Sequence, residues 1–232
     1  MPVPTLCQPL DDLLEGGFDD DTLSEIYGEG GTGKTNLCMQ LARNVARAGK
    51  KVVYIDTEGM SLDRLRQICS DKDDFENVLS KMLIYSPYNL LQQEEMVKKA
   101  VKLAKGKQVV GLVIVDSATG YYRLELSACN DVDEKRILSE EAQALLALAR
   151  QESIPCVITS QVYGTGEEGE VRPIGGHALW HTAKTIIRLQ KTGVGRRRAT
   201  LMKHRHLPEE NSCEFRLTNN GLEPYIGGEH DG

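Results

Sequence analysis

The sequence predicts an α/β fold: a mostly parallel central sheet flanked by helices, with an antiparallel extension at its C-terminal end. Three observations predict it. Short runs of apolar β-formers, such as Lys51-Val52-Val53-Tyr54-Ile55-Asp56 and Val109-Val110-Gly111-Leu112-Val113-Ile114-Val115-Asp116, alternate with stretches of helical spacing. A glycine-rich turn, Gly28-Glu29-Gly30-Gly31-Thr32-Gly33-Lys34-Thr35, joins the first strand to the first long helix. After residue 184 helical spacing gives way to strand-like runs joined by turns such as Thr192-Gly193-Val194-Gly195.

Taken in order, residues 9–17 read as a short amphipathic helix stopped by glycine. Thr22-Leu23-Ser24-Glu25-Ile26-Tyr27 is a strand, and Leu37, Leu41 and Val45 give a helix over 34–48, which Gly49 ends. The run from Lys51 to Asp56 is a buried strand, followed by the turn Thr57-Glu58-Gly59 and a helix over 61–70. Met82-Leu83-Ile84-Tyr85 is a short strand. Residues 90–105 form a helix with Glu94–Lys98 and Glu95–Lys99 spaced i,i+4 on its wet face. The most hydrophobic strand ends at Asp116, and 118–133 is irregular. A helix follows to about residue 152, then the strand Pro155-Cys156-Val157-Ile158-Thr159-Ser160-Gln161. Residues 162–176, with five glycines, read as a mobile loop. Strands over 185–191, 197–203 and 213–218 complete the sheet as its antiparallel extension. Residues 227–232 read as a frayed tail, so 1–226 is expected to be one domain.

Composition narrows the function classes. A chain of 232 residues with 40% hydrophobic and 27% charged content fits one globular domain with a substantial core. No apolar run approaches a membrane span, and Met1-Pro2-Val3-Pro4 does not begin a signal peptide, so the expectation is cytoplasmic. The six cysteines form no C-x-x-C pair, which argues against a zinc or redox role, and Cys38 and Cys156 fall in apolar patterns as core thiols. Charge is uneven. Between residues 171 and 208 there is no acid, and Arg172, Lys184, Arg188, Lys191, Arg196, Arg197, Arg198, Lys203 and Arg205 supply nine cations. Removing these nine from the net charge of −6 leaves −15 on the rest. Either an anionic partner meets that segment or it is a solvated face balanced by the rest of the fold.

The glycine-rich turn fits G-x-x-x-x-G-K-[ST], a phosphate-binding loop, and sits between strand and helix as that motif requires. Glycines leave backbone N–H groups free to converge on phosphate, Lys34 adds a point charge, and Thr35 offers its hydroxyl to Mg²⁺. The helix start adds a positive dipole end. Three more residues end strands at the same sheet edge, where parallel α/β sheets bind ligands. Asp116 closes the hydrophobic strand in the Walker B manner and would hold Mg²⁺ through water. Glu58, just past the neighbouring strand, can polarise an attacking water. Gln161 can sense the γ-phosphate and move the loop after it.

These motifs, with Ser160-Gln161-Val162 and Gly175-Gly176-His177, occur in the order found in the RecA/RadA recombinase core, which the chain resembles nearly end to end. Within that family it is similar to an archaeal paralogue group made of the core alone, whose Lys-His-Arg signature Leu201-Met202-Lys203-His204-Arg205 resembles. The resemblance implies a RecA-like P-loop NTPase, ATP and Mg²⁺ as cofactors, DNA as partner, and a role in recombination and repair. By it Glu58 and Lys34 are catalytic, Gln161 links nucleotide to DNA, and 124–133 and 162–176 are the two DNA-binding loops. It also implies a nucleoid location, a RadA-type recombinase as protein partner, compatibility with a homodimer, and Lys203 or Arg205 reaching a neighbouring subunit's nucleotide.

The chain departs from a full recombinase in its loops. The second carries Glu167, Glu168 and Glu170, and the first Asp131, Asp133 and Glu134, acids that repel phosphate. These acids speak against autonomous filament formation and strand exchange, and the resemblance implies an accessory protein with weak ATPase activity, little stimulated by DNA, which binds single-stranded or branched DNA without driving strand exchange. Positive charge for DNA would come from Lys184, Lys191, Arg196, Arg197 and Arg198, with Arg172. A KaiC-type signalling ATPase or an ATP-gated protein adaptor are the alternatives.

Overall fold

A nine-stranded sheet is the frame of the computed structural model, which describes residues 1–106, 109–125, 131–164 and 171–225. Five of its parallel strands are β1 (Leu23–Tyr27), β2 (Lys51–Asp56), β3 (Met82–Tyr85), β4 (Val110–Asp116) and β5 (Cys156–Ser160). A separate two-stranded ribbon pairs β6 (Val162–Gly164) with β7 (Val171–Pro173). The main sheet continues through β8 (Thr185–Lys191), β9 (Arg196–Lys203), β10 (Ser212–Thr218) and β11 (Gly221–Pro224). Across it the order is β11-β10-β9-β8-β1-β5-β4-β2-β3. Helices α1 (Gln8–Leu13), α2 (Lys34–Arg47), α3 (Leu62–Ile68) and α4 (Lys72–Lys81) precede α5 (Leu90–Ala104), α6 (Gly120–Glu125), α7 (Asp131–Glu152) and α8 (Gly176–Thr182).

The continuous apolar runs follow from a sheet covered on both faces. Along β2 and β4, Val52, Tyr54, Leu112 and Ile114 join one core with Leu37 and Leu41 of α2. The alternate residues Val53, Ile55, Val113 and Val115 join another with Val97 of α5 and Leu145 and Leu148 of α7. A period of two thus sends successive side chains into different cores, and neither can be polar. Because β1, β5, β4 and β2 are consecutive neighbours in the sheet, their C-terminal ends, and the loops beyond them, lie side by side.

Several expectations are corrected. Helix α4 was not expected; the side chain of Asp71 accepts from Asp74 N at 2.8 Å to cap it, and Phe75 and Val78 bury its one apolar stripe. The stretch 118–133 is not irregular throughout, since α6 occupies 120–125 and α7 begins at Asp131. The supposed loop 162–176 contains the β6–β7 ribbon, with Tyr163 directly opposite Arg172; residues 165–170, with Glu167, Glu168 and Glu170, lie outside the described residues. Strand β8 runs parallel to β1, not antiparallel, because α8 returns the chain to the start of the sheet before β8 begins. The antiparallel extension therefore starts with β9 and gains β11. The tail at 227–232 and Cys129 also lie outside the described residues, while Cys38 and Cys156 are core thiols as expected. Among the described residues no helix is long and apolar enough to cross a membrane.

Two acids are buried in this frame. Glu25 on β1 accepts from the Ser160 hydroxyl at 2.7 Å, and burial pushes its carboxyl up to about 7, against that bond and the Lys203 charge. Glu141 on α7 accepts from Gln93 Nε2 at 2.9 Å, and burial pushes it up to about 8, with Glu94 adding and Lys98 opposing. A carboxyl raised in the folded state holds its proton there while the unfolded chain has released it. Its contribution to stability is largest below the ordinary carboxyl value of 4.5 and falls as pH rises toward 7 for Glu25 and 8 for Glu141. Each group should contribute a slope of about 1.4 kcal/mol per pH unit within its window. Urea titrations from pH 5 to 8 should show this decline, and Glu25→Gln and Glu141→Gln should each flatten it; a variant with the parent slope would contradict the assignment.

Candidate functional site

At the end of β1 the chain must turn sharply past β8. Gly28 has φ 157°, and a Cβ there would stand 2.3 Å from the Leu189 carbonyl oxygen, so only glycine fits. Gly33, with φ 106°, then caps α2 in the left-handed conformation. Lys34, the first residue of α2, is 8% exposed, and its ammonium donates to the carbonyls of Gly28 (2.7 Å) and Glu29 (3.2 Å). Thr32 closes the turn by donating its hydroxyl to Glu29 O at 2.8 Å. Burial lowers the Lys34 pKa, and the charges of Glu58 and Asp116 oppose that shift. The loop therefore holds a buried cation beside two carboxylates.

Asp116, at the end of β4, is 1% exposed. Its Oδ1 accepts from the Thr159 hydroxyl (2.6 Å) and its Oδ2 from the Tyr54 hydroxyl (2.7 Å). Burial raises its pKa; the hydrogen bonds from Thr159, Tyr54 and Thr35 oppose that, and the Glu58 charge adds to it. Thr35 and Asp116 are thus in mutual reach. Glu58, exposed, presents Oε1 to two donors, the Ser117 hydroxyl at 2.9 Å and Gln161 Nε2 at 2.7 Å. The four sites read from sequence therefore converge: Lys34 electrostatically on both acids, Thr35 on Asp116, and Gln161 on Glu58.

Further residues hold this arrangement. Asp56 accepts from the backbone N–H groups of Glu58 (3.2 Å), Gly59 (2.9 Å) and Met60 (2.6 Å), an aspartate turn that presents Glu58. Thr57 Oγ1 donates to Ser117 O (2.9 Å) and accepts from Ser117 N (2.8 Å), latching the β2 and β4 turns together. Arg64 donates to Asn36 Oδ1 (2.6 Å) and Thr218 O (2.6 Å), tying α3 to α2 and to the end of β10. The acid before Thr-Glu-Gly was a readable signal for the turn. The latch joins residues 60 positions apart, and no sequence pattern announces it. Gln161 continues into the ribbon: Ile174 N donates to Gln161 O at 2.8 Å.

The basic residues are dispersed. Strand alternation sends Arg197 away from its two neighbours, and its Nη2 donates to Gly31 O in the phosphate loop at 3.0 Å. Lys191 Nζ comes within 3.1 Å of where a Cβ on Gly31 would stand. Arg198 pairs with Glu214 at 2.9 Å, and Arg196 lies over the Tyr225 ring at 5.1 Å. Lys184 donates to His181 O at 3.4 Å. Lys203 donates to Trp180 O (2.5 Å) and Ala183 O (2.9 Å) at the end of α8, and burial lowers its pKa. Arg205 pairs with Asp21 at 2.6 Å, and its hydrogen bonds hold that carboxyl below the usual range. Arg172 lies on β7.

The family model described as Rad51 matches residues 1–225 of this chain. The DNA repair and recombination protein RadB of Methanococcoides burtonii is 43% identical over 217 residues, 93% of this chain and 95% of that one. RadB of Archaeoglobus fulgidus is 43% identical over 225 residues, 97% of this chain and 99% of that one. A crystal structure of the RadB recombinase superposes with a TM-score of 0.81 at 32% identity, covering 97% of this chain and 100% of the other.

Proposed function

Since this chain belongs to the Rad51 family, in its RadB group, we propose that it is an ATP-binding, DNA-binding accessory protein of homologous recombination and DNA repair, acting on single-stranded or branched DNA. It hydrolyses ATP slowly to ADP and phosphate, with little stimulation by DNA, and does not exchange strands alone. One RecA-like domain, residues 1–226, carries this activity. It works on the nucleoid beside a RadA-type recombinase, and a homodimer is compatible with it.

The observation that carries the reading is the convergence of Lys34, Asp116, Glu58 and Gln161 at neighbouring strand ends. Their chemistry fits ATP and Mg²⁺: a glycine cradle that a Cβ would fill, a buried ammonium, and a hydroxyl–carboxylate pair for the metal. When bound, MgATP supplies the scissile anhydride. Gly28, Glu29, Gly30, Gly31 and Gly33 would offer backbone N–H groups to phosphate, Thr32 braces the turn by donating its N–H and hydroxyl to Glu29 O, and Lys34 would balance the phosphate charge. Thr35 and Asp116 would hold the shell of a magnesium ion. Glu58 accepts a proton from a water, and Ser117 and Gln161 fix its Oε1 so that the carboxylate points one way. Through Gln161 O and Ile174 N, any movement at Glu58 reaches the β6–β7 ribbon.

The test is equilibrium binding of MgATP, and of single-stranded, duplex and branched DNA, over a salt series. No uptake of ATP, or no DNA affinity at low salt, sinks the corresponding half of the proposal. Replacing Arg196, Arg197 and Arg198 together with glutamine should weaken single-strand binding and reduce the slope of log Kobs against log salt by about 0.7 for each phosphate that is no longer neutralised. Arg197→Gln alone should also weaken ATP binding, because its guanidinium rests on the phosphate loop. An unchanged salt slope in the triple variant would remove these arginines from the DNA path.

A further inference from the structure

Hydroxyl groups from three elements meet the Asp116 carboxylate, and two of them lie outside the phosphate loop. Tyr54 of β2 donates to Oδ2 at 2.7 Å, and Thr159 of β5 donates to Oδ1 at 2.6 Å. The third, Thr35, stands in the first turn of α2. Resting on the MgATP reading above, we propose that Tyr54 and Thr159 are positioning residues that occupy both carboxylate oxygens, so that Asp116 reaches a divalent cation through the cation's own water and the site selects Mg²⁺ over the larger Ca²⁺.

The sheet dictates this arrangement. Strand β4 runs between β2 and β5, with Tyr54 opposite Ile114 and Asp56 opposite Asp116. Residues two apart on a strand share a face. Tyr54, Ile114 and Val157 lie in the core that α2 covers, so Asp116 and Thr159 continue that same face. The two hydroxyls therefore approach the carboxylate from its flanking strands, one on each side, and Thr35 comes from the covering helix. Tyr54 and Thr159 are 0% exposed and Asp116 is 1% exposed, so solvent cannot stand in for either donor. A buried donor deprived of its acceptor is costly, which holds both bonds in place. Thr35, at the mouth of the phosphate loop, is the donor that is free to serve a ligand.

Metal chemistry gives the clamp its consequence. An ionised carboxylate accepts about four hydrogen bonds, two to each oxygen. With a hydroxyl already on each oxygen, Asp116 keeps a lone pair for a water, while its plane is fixed between β2 and β5. It cannot swing out to present both oxygens to an ion. Mg²⁺ dehydrates reluctantly and keeps several waters, which suits such an acceptor. Ca²⁺ gathers six to eight oxygen ligands and takes carboxylates directly, often with both oxygens, which the clamp denies it.

The experiment is equilibrium binding of ATP to the full-length protein with EDTA, with Mg²⁺ and with Ca²⁺, and it needs no turnover. Tyr54→Phe and Thr159→Val keep the side chain's shape and remove the hydroxyl; Thr159→Ser returns it. In the first two variants affinity with Mg²⁺ should fall about tenfold, the scale of one hydrogen bond to a charged group. Affinity with Ca²⁺ should fall less, and metal-free affinity should stay at the parent value. The preference for Mg²⁺ over Ca²⁺ thus narrows in both and is recovered in Thr159→Ser. An unchanged preference overturns the proposal, whether the affinities hold or fall together. A fall of equal size in the EDTA arm also overturns it, since the hydroxyls would then serve only the fold. No uptake of ATP by the parent in any arm would instead overturn the MgATP reading itself.

Discussion

Lys34→Ala protein is expected to bind MgATP on the order of 10²–10³-fold more weakly than the parent and to show no measurable turnover. The ammonium is buried, and it neutralises a site that already holds Glu58 and Asp116. Removing it leaves two carboxylates facing whatever phosphate enters, while Lys191 and Arg197 stand by Gly31 on the other side of the loop. Truncating one member of a buried charge pair costs ~2–5 kcal/mol, and each 1.4 kcal/mol is about tenfold in affinity. The same substitution frees the carbonyls of Gly28 and Glu29 from their donor. A loosened loop would then contribute to the weaker binding alongside the missing charge. Lys34→Arg separates the two causes: it keeps the charge and a donor but not the ammonium's compact shape. Calorimetric titration should find Lys34→Arg intermediate and Lys34→Ala without a fitted heat. Parent-like affinity in Lys34→Ala would mean that 28–35 is only a turn.

What the sequence made legible were features whose cause is local. The phosphate loop is readable because only glycine tolerates the approach to Leu189 at position 28 and the left-handed cap at position 33. Strands β2 and β4 are readable because a sheet buried on both faces leaves no charged position between their end residues. Asp116 and Glu58 were placed by standing at the ends of such strands. What stayed hidden depends on residues far apart. Arg197 reaches Gly31 across 166 positions, so a residue read as a DNA contact rests on the nucleotide loop. The direction of β8 follows from where α8 leaves the chain, and alternation within 185–191 is the same either way. Helix α4 was obscured because its stripe is only Phe75 and Val78 among charged neighbours. Strand alternation likewise divides Arg196–Arg197–Arg198, which on paper form one run, between a glutamate, a tyrosine ring and the phosphate loop.

Glu58→Gln separates a slow ATPase from a protein that only binds ATP. The amide is nearly the shape of the carboxylate and still offers an oxygen to the Ser117 hydroxyl and to Gln161 Nε2. The turn itself is held by Asp56 and by the Thr57–Ser117 latch, neither of which uses the Glu58 side chain. The substitution therefore removes a charge and a proton acceptor and little else. A general base contributes typically ~10²–10⁴ in rate, so turnover should fall by about that factor. Affinity for MgATP should hold or rise by up to about threefold, because a carboxylate that would repel phosphate is gone while Lys34 keeps Asp116. Single-turnover phosphate release and equilibrium ATP binding on the same preparation measure the two quantities. If turnover in the variant equals the parent's, Glu58 is not the base. If both turnover and binding collapse, the side chain holds the site rather than the water, and the path from Glu58 through Gln161 to the ribbon becomes its main use. Only a fall in turnover with binding retained assigns Glu58 to the attacking water.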